Sequence, residues 1–450
     1  MDLFGTAGIR GPVADVVTPD LALAVGRAAG HEGDEFVIGR DGRVTGAGLV
    51  DAVAAGLAST GTAVRRVGVV PTPALAFASR DRHGIMVTAS HNPPADNGLK
   101  LFVDGVEFDH EAERRIEDRI DTGSDAVGWS EWGRGEREPL LSSYRDAVVD
   151  YARDHGTALE DLRIAIDCGA GTAGRATPEV LTDLGGAIDA LDANVDGHFP
   201  ARESKPTPET LRDTRAFVAD GDAALGIAHD GDADRVVVLD EHGAVVHEDT
   251  VLAVLAHHFV ARSDAPDPVV VTTPNASGRI DERVRAVGGR VERISLGALH
   301  EGIAAARAAG DQGTAVVFAA EPWKHVHPAF GGWIDGVASA AVFARLVADR
   351  GLDALVDPVP ERPYRKVSVE CSDERKPAAM ETLRESLPDA FPEGTVDTDY
   401  GVRIDFPDGD WFLVRPSGTE PYVRVYAESD AVDDLAETVV AEVERATGAT

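Results

Sequence analysis

Lysine is nearly absent from this 450-residue chain, because only five of its 43 basic residues are lysines and the rest are arginines. The 78 acidic residues leave a formal net charge of −35. This balance excludes a long basic face for nucleic acid. Dense carboxylates with little lysine are typical of proteins that work in molar salt, where the Debye length falls to ~3 Å. We therefore expect a halophilic protein, with an ordinary acidic cytosolic protein as the alternative.

Cysteine and long apolar runs are also scarce. The two cysteines, Cys168 and Cys371, lie far apart and form neither a CxxC pair nor a metal-ligand spacing, so we expect no chemistry from them. No apolar run reaches the ~20 residues of a membrane span, and Met1–Phe4 lacks the basic start of a signal peptide. We expect a cytoplasmic protein with no membrane partner. Disorder is excluded because 43% of the residues are hydrophobic.

Three segments of the chain share one order of elements: an apolar β-branched run, a small-residue turn and a helical pattern. The runs begin at Phe36, Ile164 and Val269. Alternation of this kind predicts parallel sheets covered by helices, in three similar α/β domains. The tail instead alternates short strands and helices, which predicts an α+β domain with a partly antiparallel sheet. The predicted domains are residues 1–140, 141–238, 239–360 and 361–450.

A loop of small and turn-forming residues spans Thr88–Lys100 and follows the apolar run Ile85–Val87. It places Ser90 at the end of a strand, where sheets of this type present ligand sites. His91 is adjacent and Lys100 closes the loop. A hydroxyl with a proton acceptor and a cation nearby suits a covalent nucleophile. A plain polar turn, with Ser90 as a cap, is an equally good interpretation of the spacing alone.

Three carboxylates alternate with small residues in the stretch Asp230-Gly231-Asp232-Ala233-Asp234, which Arg235 follows. Packing three anions together is unfavourable unless a cation lies between them, and hard oxygen ligands suit Mg²⁺. A calcium loop fits poorly because its later ligands are missing. The alternative is an Asp-rich turn without a metal, since such turns are plentiful in an acidic chain.

The stretch Arg415–Pro421, with Arg424 after it, combines guanidinium groups, hydroxyls and the N–H groups of a Gly turn. Those donors can hold a phosphate dianion, although a surface turn is the alternative.

Gly169–Gly174 matches the G-x-G-x-x-G pattern of a dinucleotide site. The pattern is short and arises often by chance in glycine-rich chains, so we expect no nicotinamide binding.

We call Thr88–Lys100 the nucleophile loop, Asp230–Arg235 the metal loop and Arg415–Pro421 the phosphate loop. The three loops fall in three different predicted domains. A site assembled around a phosphorylated small molecule explains all three. Together with the opening loop Phe4–Gly11, and in this order along the chain, they resemble the α-D-phosphohexomutase superfamily, which includes phosphoglucomutase/phosphomannomutase and phosphoglucosamine mutase. The resemblance implies four domains around a central cleft. Three would be similar α/β domains with mixed sheets, and the C-terminal one would be α+β.

The resemblance also implies the reaction and the residues. A hexose 1-phosphate and a hexose 6-phosphate would interconvert through a phosphoserine at Ser90 and a hexose 1,6-bisphosphate, which also activates the enzyme. Besides Ser90, the residues near the transferred group would be His91, Lys100, Arg10 and Arg235. Mg²⁺ would be held by Ser90, Asp230, Asp232 and Asp234. The non-reacting phosphate would be bound by Arg415, Ser417, Gly418, Thr419 and Arg424.

The family's sugar-reading loop, usually Gly-Glu-x-Ser-Gly-His, is altered here to Ala-Glu-Pro-Trp-Lys-His over residues 320–325. Glu321 and His325 match and would bind the sugar together with Lys324, which replaces the glycine. Trp323 replaces the serine and either contacts the sugar or is a core aromatic. Asn275 and Ala298 stand where some mannose/glucose enzymes carry a lysine and a histidine.

We expect small-molecule sugar phosphates as partners, with glucose and mannose phosphates favoured. The alternative is a phosphoglucosamine mutase that converts glucosamine 6-phosphate to glucosamine 1-phosphate. A non-catalytic sugar-phosphate sensor with an altered loop is less favoured, because the nucleophile, the metal triad and the phosphate loop are intact. No oligomeric state follows from the sequence.

Overall fold

A computed structural model of the chain describes residues 3–5, 8–417 and 421–448. The strands are β1 (Ile9–Pro12), β2 (Glu35–Arg40), β3 (Ala63–Val69), β4 (His83–Val87), β5 (Asp96–Val103), β6 (Val106–Glu107), β7 (Gly135–Arg137), β8 (Arg163–Asp167), β9 (Ala187–Leu191), β10 (Leu225–Ala228), β11 (Val237–Leu239), β12 (Asp267–Thr272), β13 (Arg290–Arg293), β14 (Thr314–Glu321), β15 (Lys324–Val326), β16 (Tyr364–Glu370), β17 (Thr395–Asp397), β18 (Val402–Asp405), β19 (Trp411–Pro416) and β20 (Tyr422–Glu428). The helices are α1 (Pro19–Ala29), α2 (Gly46–Ala58), α3 (Thr72–Ala78), α4 (His110–Thr122), α5 (Leu141–Arg153), α6 (Thr177–Asp183), α7 (Arg212–Asp220), α8 (Glu248–Ala261), α9 (Gly278–Arg285), α10 (Leu299–Ala309), α11 (Gly336–Arg350), α12 (Leu352–Val356), α13 (Lys376–Ala390) and α14 (Val432–Thr447). Within these described ranges, no helix combines the length and the apolar character that crossing a membrane requires.

Contacts within the chain divide it into two compact units. The first comprises Met1–Glu248 and Trp323–Leu355, and the second comprises Asp249–Pro322 and Val356–Thr450. The four domain ranges predicted from the sequence are finer than this division and stay predictions.

The first sheet of the first unit has the strand order β1-β5-β4-β2-β3-β7, and β6 pairs with β5. Strand β2 runs parallel to both β3 and β4, as the strand–helix–strand pattern predicts. Strand β5 is antiparallel to β4, because the short loop 88–95 joins them and only a longer crossover would make them parallel. The sheet is therefore mixed, and the loop with Ser90 lies at the carboxyl end of β4.

Helices α1 and α2 pack together beside this sheet. Thr18 caps α1 by accepting a hydrogen bond from the Leu21 N–H at 3.2 Å, and Pro19 occupies the first turn, where its missing N–H costs nothing. Gly26 allows the two helices to approach closely, because a Cβ there would lie 2.3 Å from the Val53 carbonyl oxygen. The apolar faces of both helices pack against buried residues of β2 and β4 in one core cluster.

The second sheet of this unit has the order β11-β10-β8-β9. Strand β10 is parallel to β8 and antiparallel to β11, so the turn between β10 and β11 carries the three alternating carboxylates. All four residues of β10 are buried, which anchors this turn on a rigid strand.

In the second unit, β12 runs parallel to β13 and to β14. The C-terminal sheet has the order β16-β20-β19-β18-β17, and its described pairings are antiparallel. Helices α13 and α14 contribute to its core cluster, so the predicted α+β tail and the mixed α/β class are confirmed. The three-residue strand β17 was not predicted, because so short a segment carries no detectable alternation.

Candidate active site

Ser90 lies buried on the loop between β4 and β5. Its backbone has φ +50°, a left-handed conformation that is unusual for serine, and its N–H donates to the Thr88 hydroxyl at 2.9 Å. Its Oγ donates to Asp230 Oδ2 at 2.7 Å and lies 3.3 Å from His91 Nδ1. The strained turn thus aims the hydroxyl at a carboxylate of the metal loop, 140 positions away in the chain.

The carboxylates of Asp230, Asp232 and Asp234 are buried, and each offers an oxygen within 4.8 Å of the others. Ala233 has φ +60°, which curls the loop so that alternate side chains converge. Gly231 is needed for a close approach, because a Cβ there would lie 2.8 Å from the Ser90 carbonyl oxygen. The metal loop and the Ser90 loop therefore meet through backbone as well as side chains.

Cations surround the three carboxylates. The Lys100 ammonium is buried, 2.9 Å from Asp234 Oδ2 and 3.6 Å from Asp232 Oδ2. The Arg235 Nε lies 3.7 Å from Asp230 Oδ2 and 3.9 Å from Asp234 Oδ1. These cations offset part of the mutual repulsion of the three carboxylates.

Arg10, on β1, has two buried guanidinium nitrogens, Nε and Nη2, with no hydrogen-bond partner among residues 3–5, 8–417 and 421–448. Unpaired donors of this kind are available to an anion.

The pKa values of the site reflect these charges. Burial raises the pKa of Asp230, and the neighbouring carboxylates of Asp234 and Asp232 raise it further. Burial also acts to raise the pKa of Asp234, but Lys100 and two more cations outweigh it and hold that pKa well below its usual range. Burial, with Arg235 and Arg10 nearby, lowers the pKa of His91 to about 3, so its imidazole is neutral near neutral pH.

Free carboxylate oxygens show where a cation fits. Asp232 Oδ2 accepts hydrogen bonds from the hydroxyls of Thr72 at 2.6 Å and Thr88 at 3.2 Å. Asp232 Oδ1 and Asp234 Oδ1 are buried and have no hydrogen-bond partner in the part of the chain that the structure describes. An orphaned buried carboxylate oxygen is costly unless a cation neutralises it, so these residues fit a divalent ion.

Sequence reasoning missed Thr72, Asp41 and Arg43, and it included Thr88 in the candidate loop without giving it a role. Thr72 begins α3, and its N–H also donates to the Asp232 carbonyl at 2.9 Å. Asp41 accepts a hydrogen bond from the Thr88 hydroxyl at 2.7 Å. The positions of Asp41 and Arg43 in the sequence could have indicated their role. They follow β2, which is parallel and adjacent to β4, so the carboxyl ends of the two strands meet.

Lys324 forms an isolated antiparallel bridge with Arg235, and the Val236 N–H donates to the Trp323 carbonyl at 3.0 Å. Directly opposite residues on an antiparallel pair extend to the same side, so Lys324 accompanies Arg235 toward the carboxylates. The charge of Lys324 contributes to the lowered pKa of Asp234. The structure thus brings Lys324 to the Ser90 site.

Trp323 packs, partly buried, against a small core cluster with Leu211, Ala228, Val237 and Leu239. This contact matches the core-aromatic interpretation of Trp323. His325, two positions further along the chain, is fully buried, and burial lowers its pKa to about 3.

Arg415 on β19 and Arg424 on β20 face each other directly in the C-terminal sheet. Like charges at such positions repel each other unless an anion binds between them. The Arg415 Nη2 donates to the Tyr426 hydroxyl at 3.0 Å, while its Nε is buried without a partner among the described residues. This pair is suited to an anionic ligand.

Two further predicted residues, Ser417 and Glu321, lie in the second unit, as Arg415 and Arg424 do. Ser417 is buried and precedes Gly418 and Thr419, which lie outside the described residues. Glu321, at the end of β14, accepts a hydrogen bond from the Gly297 N–H.

The Gly169–Gly174 motif supports the metal loop. Thr172 donates to the Gly231 carbonyl through its N–H at 3.0 Å and through its hydroxyl at 3.3 Å. A Cβ at Gly171 would lie 2.8 Å from the same oxygen. Close backbone packing therefore accounts for Gly171 of this motif.

Models of known families match three parts of the chain. Those described as phosphoglucomutase/phosphomannomutase alpha/beta/alpha domain I, alpha/beta/alpha domain II and C-terminal domain match residues 1–126, 142–243 and 367–446. The chain belongs to the phosphoglucomutase/phosphomannomutase family. It is an enzyme, a phosphomutase of the isomerase class that transfers phosphate within its substrate.

Individual members of this family are similar to the chain over nearly its whole length. A phosphopentomutase of Thermococcus kodakarensis is 40% identical over 458 residues, which cover 99% of this chain and 98% of that protein. A probable phosphoglucosamine mutase of Methanopyrus kandleri is 41% identical over 441 residues, or 95% and 94%. The structure of a phosphoglucomutase/phosphomannomutase family protein from Burkholderia thailandensis matches with a TM-score of 0.86 at 26% identity, covering 99% of this chain and 97% of that one.

Proposed function

We propose that this phosphomutase moves phosphate between carbon 1 and carbon 6 of an aminohexose phosphate, through a phosphoserine at Ser90. The contact that carries the proposal is the 2.7 Å hydrogen bond between Ser90 Oγ and Asp230 Oδ2, inside a buried cluster of three carboxylates. A serine on a strained loop beside a cation site is placed for phosphoryl transfer.

The transfer conserves atoms and charge. The attacking sugar hydroxyl forms a bond to phosphorus as the bond between phosphorus and Ser90 Oγ breaks, and the hydroxyl proton ends on Ser90 Oγ. His91 is placed to relay this proton, because its neutral imidazole lies 3.3 Å from that oxygen. The sugar 1,6-bisphosphate then turns around and returns its other phosphate to Ser90 by the reverse steps.

The three carboxylates of Asp230, Asp232 and Asp234, with the phosphoserine at Ser90, would hold Mg²⁺. When bound, Mg²⁺ neutralises charge on the transferred phosphoryl group. Arg10 contributes its two unpaired guanidinium nitrogens to the same phosphoryl group. The other cations of the site are Lys100, Arg235 and Lys324. Their positive charge offsets the negative potential of the acidic protein, which would otherwise repel an anionic substrate.

The non-reacting phosphate would be held by the facing pair Arg415 and Arg424, together with Ser417, Gly418 and Thr419. The sugar hydroxyls would be read by Glu321 and Asn275, with His325. Glu321 is the last residue of β14, and Asn275 follows β12. These two strands are parallel, so their carboxyl ends share one edge of the sheet. The Asn275 Oδ1 is buried with no partner in the described ranges, as expected of a group that awaits a ligand.

The choice of an aminohexose rests on the relatives. Probable phosphoglucosamine mutases recur among them, at 34–41% identity. Their names support glucosamine phosphate better than the glucose and mannose phosphates that the sequence alone favoured. A pentose phosphate is the second candidate, because the Thermococcus relative is a phosphopentomutase and the sugar loop carries Trp323 and Lys324 in place of the usual serine and glycine.

A substrate panel tests this proposal. The protein, with Mg²⁺ and a trace of glucose 1,6-bisphosphate in concentrated KCl, is given the 1-phosphates of glucosamine, ribose, glucose and mannose in turn. We expect the largest kcat/KM for glucosamine 1-phosphate. A larger value for ribose 1-phosphate would replace the aminohexose with a pentose, and no isomerisation of any of the four would refute the proposal.

We also propose that the protein is adapted to concentrated salt, because its composition is strongly acidic. Self-repulsion at a net charge of −35 should destabilise the fold in dilute buffer, and salt screens it as the Debye length falls from ~10 Å at 0.1 M to ~3 Å at 1 M. We expect the thermal unfolding midpoint to rise steadily between 0.1 and ~2 M KCl. A midpoint that is flat or falls over this range would contradict halophilic adaptation.

A further inference from the structure

Arg43 is fully buried, and its guanidinium group donates hydrogen bonds to the backbone of the Ser90 loop. Its Nη2 donates to the carbonyl oxygens of Ser90 at 2.9 Å and Asn92 at 2.8 Å. Its Nη1 donates to the carbonyl oxygens of Pro93 at 2.5 Å and Asp96 at 2.9 Å. One side chain therefore ties together four carbonyls that are spread over the whole loop.

Asp41 fixes the guanidinium group from the other side. Its Oδ2 accepts from Arg43 Nε at 3.1 Å, and its Oδ1 accepts from the Arg43 backbone N–H at 2.9 Å. The same Oδ2 accepts from the Thr88 hydroxyl at 2.7 Å, and Thr88 Oγ1 in turn accepts from the Ser90 N–H. Thr88 also reaches Asp232 Oδ2 at 3.2 Å. The chain of contacts thus runs from Arg43 to both the nucleophile and the metal loop.

The arrangement uses all the hydrogen-bonding capacity of an arginine. A guanidinium group has five N–H donors in a rigid plane, and the five bonds from Nε, Nη1 and Nη2 use each of them. A lysine has three donors at one point and cannot span the same four carbonyls. Burying a charged group at this position is favourable only because every donor is satisfied.

We infer that Arg43 is a positioning residue for phosphoryl transfer: it holds the loop in the conformation that aims Ser90 Oγ at Asp230. Ser90 has the left-handed φ of +50°, which needs support from outside its own loop. Arg43 does not touch the reacting oxygen, since its contact with Ser90 is to the carbonyl. The inference rests on the proposed nucleophilic role of Ser90.

The test is the rate at which glucose 1,6-bisphosphate phosphorylates Ser90, followed by intact-protein mass spectrometry with Mg²⁺ present. We expect Arg43→Lys to slow this step by about 10²-fold, the size of effect that a misplaced reacting group produces. The KM for the bisphosphate should stay within about a factor of two, because the phosphate-binding side chains are untouched. Methylguanidinium added to Arg43→Ala should restore part of the rate.

A matched control is Arg345, another buried arginine of the same unit, which donates to backbone carbonyls at and after the end of α5. Its Nε donates to the His155 carbonyl at 2.5 Å, and its Nη2 donates to the Arg153 carbonyl at 3.2 Å. Arg345→Lys should lower the thermal midpoint about as much as Arg43→Lys but leave the phosphorylation rate unchanged.

The outcomes separate the inference from the proposed function. If the wild type is not phosphorylated at Ser90, the proposed function fails. If the wild type and Arg43→Lys are phosphorylated equally fast, or if Arg345→Lys slows the step as much, the positioning role is overturned. Should Arg43→Lys not fold, Asp41→Asn decides instead, because it loosens the guanidinium group while keeping its size. A normal rate in that variant would also overturn the role.

Discussion

Ser90→Ala is expected to lower turnover by at least ~10³-fold, because in the proposed mechanism Ser90 carries the phosphoryl group between substrate and product. The substitution removes the Ser90 hydroxyl group together with its hydrogen bonds to Asp230 and His91. Binding of glucosamine 6-phosphate should persist, since Arg415 and Arg424, which we propose bind its phosphate, are unaltered. Turnover is measured by a coupled assay, and binding by titration calorimetry.

The control for this variant is Ser79→Ala. Ser79 is also fully buried in the first unit, where it directly follows α3, and its hydroxyl donates to the Ala76 carbonyl of that helix at 2.8 Å. Ser79→Ala should keep normal turnover and normal phosphorylation. Full activity of Ser90→Ala, or a phosphate adduct that persists in its intact mass, would remove the covalent mechanism.

Removing Mg²⁺ is expected to abolish turnover, and Asp232→Asn should do nearly the same at ordinary Mg²⁺ concentrations. Asp232 Oδ1 is one of the two orphaned oxygens, so the variant replaces a charged ligand with a neutral one. The clearest measurement is thermal unfolding with and without Mg²⁺, because a ligand stabilises the folded state in proportion to its affinity. Mg²⁺ should raise the unfolding midpoint of the wild type and leave that of Asp232→Asn unchanged.

Without the metal, Asp232→Asn should unfold at a temperature equal to or above that of the wild type, since it removes one of three buried anions that repel each other. Thr72→Val tests the supporting hydrogen bond at 2.6 Å and should weaken Mg²⁺ binding by about 10-fold. Asp240→Asn is the control, because Asp240 caps an exposed turn by accepting from the N–H groups of His242 and Ala244. The metal assignment is wrong if Asp232→Asn keeps the wild-type response to Mg²⁺.

Motif and periodicity were enough to predict the elements that carry the site. The β-branched run before the Ser90 loop predicted β4, and Ala224–Ala228 predicted the strand that ends in the metal loop. Both predictions rest on local signals, since buried strands are continuous apolar runs and loops are rich in Gly, Asp and Pro. The antiparallel return of β5 could not be predicted from the alternation of strands and helices alone, because the direction of a strand depends on its connection.

The same distinction applies to the residues of the site. The sequence pointed to Ser90 and the three aspartates because each motif is contiguous. It missed Thr72 and Arg43 because each of them acts on a partner far along the chain. Thr72 bonds to Asp232 across 160 positions, and Arg43 bonds to Ser90 across 47. No spacing rule connects Thr72 with Asp232, because they meet only where strands of two different sheets end side by side. Arg43 meets Ser90 because β2 and β4 are neighbouring parallel strands of one sheet, which only the order of strands in the sheet decides.

The sequence by itself determined the chemical groups of this protein: a serine on a turn, alternating carboxylates, a cluster of guanidinium and hydroxyl donors and a net charge of −35. Those properties depend on residue type and short spacing, which the chain carries before it folds. Only the tertiary structure decided which carboxylate oxygens stay free, which lysine balances them and which arginine holds the nucleophile loop. Lys100 shows why, because it reaches Asp234 across 134 positions, at a distance that only the packed fold sets.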